Sequence, residues 1–254
     1  MTARRAIRRT LAGVALALLV FAAVVGVEIW LALRREYLPT ADPLDLDATF
    51  GTGDRLNFVV LGDSTSAGVG VDDPADAYPT LLAERLADET GRSIRLSVLG
   101  ESGARVRDVL DEQVPAALEL DPDVIFVGIG ANDVTHLTSL GEVRELMRAI
   151  LGRLDDTGAA IVVAGAPDMR ALAWAEPLRS LAYLRGKQVA TAIEEEARGA
   201  GAGVVELAEE TGPFFAEDPG GHFSEDQFHP SALGYRRWAD AIFPVLAGAV
   251  TSAP

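Results

Sequence analysis

The sequence predicts an α/β domain with a mostly parallel sheet covered by helices on both faces, preceded by one N-terminal transmembrane helix. From residue 55 onward, short apolar runs alternate with longer amphipathic runs, which is the pattern of consecutive βαβ units. A continuous apolar stretch occupies residues 11–33 and is long enough to cross a bilayer as a helix. The sequence contains no cysteine, and the rest of the chain is long enough to bury a core without disulfides.

The N-terminal region divides into a basic segment, residues 1–10, and the apolar stretch at residues 11–33. Glu28 is the only charged residue in the stretch, and Trp30 lies near its outer end, where amphipathic rings are favoured. Four arginines precede the stretch and two follow it, so the positive-inside bias places the domain on the extracytoplasmic side. A cleaved signal peptide has a shorter apolar region and a small-x-small cleavage site. The sequence therefore favours an uncleaved membrane anchor, with secretion after cleavage as the alternative.

The remaining chain is predicted to form a linker over residues 34–54 and a single domain over residues 55–254. Pro39, Pro43 and several aspartates, with little periodicity, indicate the linker. Strands are predicted from apolar runs at residues 56–61, 94–99, 123–129, 160–164 and 204–207. Helices are predicted at residues 78–90, 106–120 (broken by Pro115), 141–156, 178–198 and 231–250. In such a sheet, sites form beyond the carboxyl ends of the strands.

The charge of the chain is strongly acidic. The net charge is −16, and the residues after 35 carry 16 basic and 37 acidic side chains, a net charge of −21. A domain of this charge repels phosphate backbones, so the composition argues against a nucleic-acid partner. The simplest interpretation of the acidity is a solvated surface.

A Gly-Asp-Ser motif, Gly62-Asp63-Ser64, directly follows the first predicted strand. Ser64 is therefore expected at the carboxyl end of that strand, where a nucleophile would lie. The segment is not the Gly-x-Ser-x-Gly elbow of α/β-hydrolases, because residue 66 is serine. It is not a phosphate-binding loop either, because no lysine follows at the required position. Taken alone, the motif is also compatible with a structural turn.

Two further strand ends carry groups that could stabilise a developing oxyanion. Asn132, in the segment Gly130-Ala131-Asn132-Asp133, follows the third predicted strand, and its side-chain NH₂ could donate to such an oxyanion. Gly103 follows the second predicted strand, and a glycine there leaves a backbone N–H unshielded. Taken alone, the asparagine segment is also compatible with a simple Asx turn, and the glycine carries little information.

Asp226 and His229 lie in a loop just before the last predicted helix. A carboxylate three residues before a histidine can accept its Nδ1–H in a tight turn, which leaves Nε2 free to take the proton of a serine. An Asp-x-x-His segment alone is often without function. His136 and His222 stand at no recognisable metal-ligand spacing, so the sequence indicates no metal site.

In combination, these motifs resemble those of the SGNH/GDSL hydrolase family. The resemblance spans roughly residues 56–250: Gly-Asp-Ser, then a glycine after the second strand, Gly-x-Asn-Asp after the third, and Asp-x-x-His near the end. It implies a three-layer, flavodoxin-like α/β/α sandwich around a five-stranded parallel sheet. It also implies a catalytic triad of Ser64, His229 and Asp226. The implied oxyanion hole consists of the backbone N–H groups of Ser64 and Gly103 and the side chain of Asn132, and no cofactor or metal is implied.

The resemblance implies a serine esterase that forms an acyl-enzyme intermediate, with a small-molecule or lipid ester as its substrate. Two alternatives remain open: an esterase or acyltransferase for O-acyl (acetyl) groups of cell-envelope glycans, and a non-catalytic envelope-binding module. Residues 166–185 are expected to form one wall of the cleft, and Phe228 is expected near the site. Four side chains of that wall could line an acyl pocket or pack in the core: Met169, Leu172, Trp174 and Tyr183.

Overall fold

The computed structural model describes residues 2–35, 37–38 and 44–252. Within these residues, six strands form one sheet of order β1-β3-β2-β4-β5-β6. The strands are β1 Ala48–Phe50, β2 Arg55–Gly62, β3 Ser93–Val98, β4 Val124–Gly128, β5 Ala160–Ala164 and β6 Gly203–Val205. Strands β2 to β6 pair in parallel, and β1 pairs antiparallel with β3. The predicted α/β fold with five parallel strands is confirmed.

The helices cover both faces of the sheet. They are α1 Thr2–Arg34, α2 Tyr78–Thr90, α3 Val106–Asp108, α4 Val114–Leu118, α5 Ala131–Thr135, α6 Leu140–Asp155, α7 Leu178–Gly199, α8 Leu207–Glu217, α9 Pro219–His222 and α10 Ala232–Ser252. A π-helical turn, Val109–Gln113, joins α3 to α4. The break predicted at Pro115 is therefore a change of helix type: the proline lies directly after the π-helical turn, in a helical stretch that continues from Val106 to Leu118.

Two apolar cores lie on opposite faces of the sheet. Alternate residues of each strand contribute side chains to the two cores. Val59 and Ile125 point into the core beneath α6 and α7, whereas Phe58 and Phe126 point into the core beneath α2 and α10. A parallel strand buried on both faces must be apolar at every position. This requirement explains why continuous apolar runs predicted these strands.

Strand β1 lies within the segment predicted as a linker, and this part of the prediction is corrected. Ala48–Phe50 pairs with β3 at the edge of the sheet, and Leu46 is buried. The Asp47 carboxylate accepts the backbone N–H of Val98 at 2.9 Å, which extends the edge contact. Residues 39–43 of the predicted linker lie outside the described residues. The sequence did not predict β1, because a strand of three residues is too short to show a hydrophobic periodicity.

Helix α1 carries the predicted membrane segment. Residues Ile7–Ala32 are long and apolar enough to cross a bilayer by length and composition, and a signal sequence near an N-terminus passes the same test. The side chains described along the stretch are mostly exposed, which is compatible with a membrane-spanning helix and with a signal sequence.

Glu194 on α7 is a largely buried acidic side chain, and it gives the fold a testable pH dependence. Burial raises the pKa of Glu194 to about 7, which the ion pair with Arg198 opposes only in part. The folded state then holds this proton more tightly than the unfolded state. The contribution of Glu194 to the free energy of unfolding is therefore fully present below the ordinary glutamate pKa, and it is lost as the pH rises through about 7.

We expect Glu194→Gln to remove this loss, so that the variant gains stability over the wild type at pH 8 but not at pH 5. Chemical unfolding at both pH values measures the difference. Glu195→Gln, which removes the same charge from an exposed neighbouring position, is the control. An equal pH slope in the wild type and in Glu194→Gln would contradict the expectation.

Candidate active site

The end of β2 presents Ser64. Gly62 has a φ of 155°, and a Cβ at this position would lie 2.2 Å from the Ser66 hydroxyl oxygen and 2.3 Å from the Gly128 carbonyl oxygen. Only glycine therefore allows the ends of β2 and β4 to approach this closely. The chain then turns away from the sheet, and the Ser64 side chain projects from its carboxyl edge.

The turn around Ser64 is fixed by buried polar contacts. The Asp63 carboxylate accepts the backbone N–H of Thr65 at 3.0 Å and its hydroxyl at 2.8 Å. Burial raises the pKa of Asp63, although these two hydrogen bonds oppose the shift. The Ser66 and Tyr78 hydroxyls lie 2.6 Å apart in the core. The middle residue of the Gly-Asp-Ser motif thus shapes the turn and does not face the cleft.

Gln113, which the sequence analysis did not single out, supports the same turn. Its side-chain carbonyl accepts the Gly62 N–H and its amide donates to the Gly62 carbonyl, both at 2.8 Å. The side chain is buried, and the contact joins residues 51 positions apart.

We expect Gln113→Met, which keeps most of the side-chain volume, to lower the free energy of unfolding by about 1–3 kcal/mol, because the buried Gly62 N–H loses its acceptor. Guanidinium unfolding of the full chain in a mild detergent measures the loss. Glu112→Met on the exposed neighbouring position is the control. Equal stability of the two variants would show that the Gln113 contacts contribute little.

Three predicted residues form a continuous hydrogen-bonded chain. The His229 Nε2 atom lies 2.9 Å from the Ser64 hydroxyl oxygen, and the His229 Nδ1 atom lies 2.6 Å from an Asp226 carboxylate oxygen. The second carboxylate oxygen of Asp226 accepts the Ser224 hydroxyl and the backbone N–H groups of Phe228 and His229, each at 2.9 Å. These contacts fix the carboxylate against the ring.

The loop carrying His229 is brought to Ser64 by contacts with the segment that follows the Ser64 turn. Gly70 has a φ of 111°, and a Cβ there would lie 2.2 Å from the Pro230 carbonyl oxygen. The Tyr235 hydroxyl donates to the Val69 carbonyl at 2.5 Å. These contacts bring Ser64 and His229, which are 165 positions apart in the sequence, within hydrogen-bond distance of each other.

Asp226 is held as a carboxylate. Burial by itself would raise the pKa of Asp226, but hydrogen bonds from the His229 ring and from the backbone N–H groups of His229 and Phe228 outweigh it. The net result is a pKa well below the usual range for aspartate. An ionised carboxylate at this position stabilises a protonated imidazole when the ring takes up a proton.

Asn132 lies in the same cleft as Ser64, at the start of α5. Its side-chain amide donates one N–H to the Ala104 carbonyl at 3.0 Å, and its second N–H has no acceptor among the residues that the structure describes. Gly103 precedes Ala104 with a φ of 86°, a left-handed conformation that favours glycine. Within the described residues, the backbone N–H groups of Ser64 and Gly103 donate to no acceptor.

Apolar side chains line the cleft beside Ser64, among them Met169, Phe215, Phe223 and Phe228. Of the four side chains expected in the wall, Met169 and Trp174 are both buried in the core beneath α6 and α7. Met169 also lines the cleft, whereas Trp174 packs against Phe228. Leu172 lines a neighbouring cavity, and Tyr183 is half-buried on α7. In the part of the chain described, no group of three or more His, Asp or Glu side chains is placed to hold a metal ion.

Comparison with known proteins gives consistent matches. The family model described as GDSL-like Lipase/Acylhydrolase matches residues 60–237. The GDSL-like esterase Rv1075c of Mycobacterium tuberculosis is 36% identical over 199 residues, which cover 77% of this chain. The match spans only 63% of the length of that relative.

Solved structures resemble the fold at low sequence identity. TesA has a TM-score of 0.61 at 22% identity, covering 76% of this chain and 99% of its own. The lipase/acylhydrolase from Enterococcus faecalis has a TM-score of 0.61 at 20% identity, covering 76% of this chain and 96% of its own.

Proposed function

The chain belongs to the GDSL-like lipase/acylhydrolase family, and from this premise we propose that it is a serine esterase that hydrolyses carboxylic esters through Ser64, His229 and Asp226. The observation that carries the proposal is the hydrogen-bonded chain from the Ser64 hydroxyl through the His229 ring to the Asp226 carboxylate. This arrangement can activate a serine hydroxyl for attack on an acyl carbon.

In the proposed acylation step, the Ser64 Oγ atom attacks the ester carbonyl carbon while His229 Nε2 takes the hydroxyl proton. The resulting imidazolium is stabilised by ionised Asp226. The tetrahedral intermediate then breaks its bond to the alcohol oxygen, and the alcohol leaves with the proton from Nε2. Ser64 is left carrying the acyl group.

In the deacylation step, water gives a proton to His229 Nε2 and attacks the acyl carbon, and the acid leaves as Ser64 regains its proton. The negative oxygen of both tetrahedral intermediates is assigned to the backbone N–H groups of Ser64 and Gly103 and the free N–H of Asn132. Each such donor contributes about 3–4 kcal/mol to lowering the barrier in enzymes of this kind.

The apolar walls of the cleft favour an ester with an apolar acyl group. Met169, Phe223 and Phe228 surround the space next to Ser64, and such side chains bind hydrocarbon by burying it from water. Acetyl groups on cell-envelope glycans are the alternative substrates, and transfer to a glycan hydroxyl in place of water is the alternative reaction. A non-catalytic envelope-binding role would not require the hydrogen bonds that join Ser64, His229 and Asp226.

A substrate series tests the proposed function. The full chain in a mild detergent is assayed with p-nitrophenyl esters from acetyl to palmitoyl and, in parallel, with an acetylated glycan. We expect hydrolysis of the simple esters, with the preferred acyl length reporting the depth of the cleft. Release of acetate from the glycan alone would move the assignment to the alternative, and no hydrolysis of any ester would contradict the proposal.

We propose that α1 remains attached as a membrane anchor, with the catalytic domain on the extracytoplasmic side. The length of the apolar stretch and the arginines before it support this topology. We expect the full-length protein to stay in the membrane fraction after an alkaline carbonate wash. A shortened, soluble protein in the medium would instead show that the segment is cleaved and the domain secreted.

A further inference from the structure

The chain that leaves α1 lies against the loop that carries Asp226 and His229. The Arg35 guanidinium donates to the Asp226 backbone carbonyl at 3.1 Å and to the Gln227 side-chain oxygen at 2.9 Å. The backbone N–H of Leu38 donates at 3.2 Å to the Asp226 carboxylate oxygen that also faces His229 Nδ1. Two residues of the predicted linker therefore contact the acid of the proposed triad directly.

An aromatic contact reaches the catalytic ring from the same segment. The Tyr37 ring centroid lies 5.0 Å from that of Phe228, and the Phe228 ring packs edge-on against His229 at 5.1 Å. The Tyr37 hydroxyl accepts the Trp174 ring N–H at 3.0 Å. Tyr37 thus helps to hold the side chain that separates the proposed acid from the proposed base.

The backbone of the catalytic loop needs support from outside. Gln227, between Asp226 and His229, has a φ of 61°, a left-handed conformation that is unfavourable for a residue with a side chain. Its carbonyl accepts the Ala173 N–H at 3.0 Å, and its side chain accepts from Arg35. Arg35 also donates to the Ala173 carbonyl at 3.4 Å. Its guanidinium therefore contacts both Ala173 and Gln227, the two residues that this backbone hydrogen bond joins.

The end of α1 is itself fixed to the domain. The Glu28 carboxylate accepts the backbone N–H of Leu178, the first residue of α7, at 2.9 Å. A carboxylate at a helix N-terminus is stabilised by the helix dipole. Ala32 packs against the core beneath α6 and α7. Contacts with the domain therefore lie on both sides of Arg35, at Glu28 and Ala32 before it and at Tyr37 and Leu38 after it.

We propose that the end of α1 and the residues described after it, 28–35 and 37–38, form a positioning element of the active site, in which Arg35, Tyr37 and Leu38 hold the loop that carries the proposed acid and base. The proposal rests on the proposed function, because that function assigns Asp226 and His229 their catalytic roles. The membrane anchor would then be part of the catalytic architecture and would set the distance of the cleft from the membrane surface.

The test compares Arg35→Ala with Arg34→Ala in the full chain. Arg34 is the matched control, because it is exposed and its guanidinium lies over the Trp30 ring at 4.3 Å, away from the loop. We expect Arg35→Ala to lower kcat about tenfold while KM changes less than about twofold, since a displaced base impairs chemistry more than binding. Arg34→Ala should leave both constants unchanged.

A double-mutant cycle with Gln227→Ala shows whether Arg35 acts through the loop. If it does, the effects of Arg35→Ala and Gln227→Ala on kcat are not additive, because one contact joins the two side chains. Hydrogen exchange gives a readout independent of activity: the backbone N–H groups of Phe228 and His229, bound to Asp226, should exchange faster in Arg35→Ala and not in Arg34→Ala.

A wild-type kcat in Arg35→Ala, or an equal loss in Arg34→Ala, would overturn the proposal. Unaltered exchange in the loop of Arg35→Ala would overturn it as well. If the wild-type chain hydrolyses no ester, the proposed function fails on that result alone, and the exchange comparison still decides whether the segment holds the loop.

Discussion

Replacing Ser64 by alanine is expected to lower kcat/KM for p-nitrophenyl butyrate by a factor on the order of 10³ or more. The variant lacks the oxygen that lies 2.9 Å from His229 Nε2, so no acyl-enzyme can form. The fold should persist, because the hydrogen bonds that shape the turn belong to Asp63, Ser66 and Gln113.

Steady-state rates of the purified full chain measure this loss, and circular dichroism checks the fold. Ser180→Ala, which removes a hydroxyl from an exposed position on α7, should retain wild-type rates. Full activity in Ser64→Ala would end the assignment of the nucleophile and would direct attention to another site.

Replacing Asp226 by asparagine is expected to lower kcat on the order of 10⁴-fold with little change in KM, a loss typical of Ser-His-Asp sites whose acid is neutralised. The carboxylate accepts the His229 Nδ1–H on one oxygen and three donors on the other. An asparagine NH₂ in either place would meet a donor, so the ring would lose its orientation and the preferred tautomer.

The matched control for this variant is Glu225→Gln, which removes the same charge at the exposed preceding residue. The variants and the wild type are compared near neutral pH. The low pKa of Asp226 means that its contribution to stability is present above the ordinary aspartate pKa and is lost only as the pH falls below it. Similar rates for Asp226→Asn and Glu225→Gln would contradict a catalytic role for Asp226.

Most of the fold could be predicted from the sequence because its signals are local. The run at residues 56–61 is apolar at nearly every position, since β2 is buried on both faces. The bounds of α2 match the predicted helix, which ends at Gly91 in a left-handed conformation. The candidate site could be proposed for a related reason: parallel strands place their carboxyl ends at one edge, so motifs after several strands converge there.

The support of the site could not be predicted, because its contacts join distant parts of the chain and leave no periodic pattern. Gln113 reaches back 51 residues to Gly62, and nothing in its own helix distinguishes it from a solvent-facing side chain. Arg35 and Leu38 contact Asp226 from about 190 residues away. In the sequence, these residues lie in a segment without regular periodicity, which indicated only a linker.

The sequence alone predicted the α/β class, the positions of the parallel strands, an apolar helix of membrane-spanning length and the residues of the proposed triad. The folded structure was needed to show that Ala48–Phe50 adds an edge strand, that Met169 lines the cleft and Trp174 does not, and that the chain after α1 packs on the loop that carries Asp226 and His229. The difference lies in the range of the interactions. Burial and backbone hydrogen bonding impose short repeats on neighbouring residues, whereas a hydrogen bond between distant side chains requires only that the two groups meet once the chain has folded.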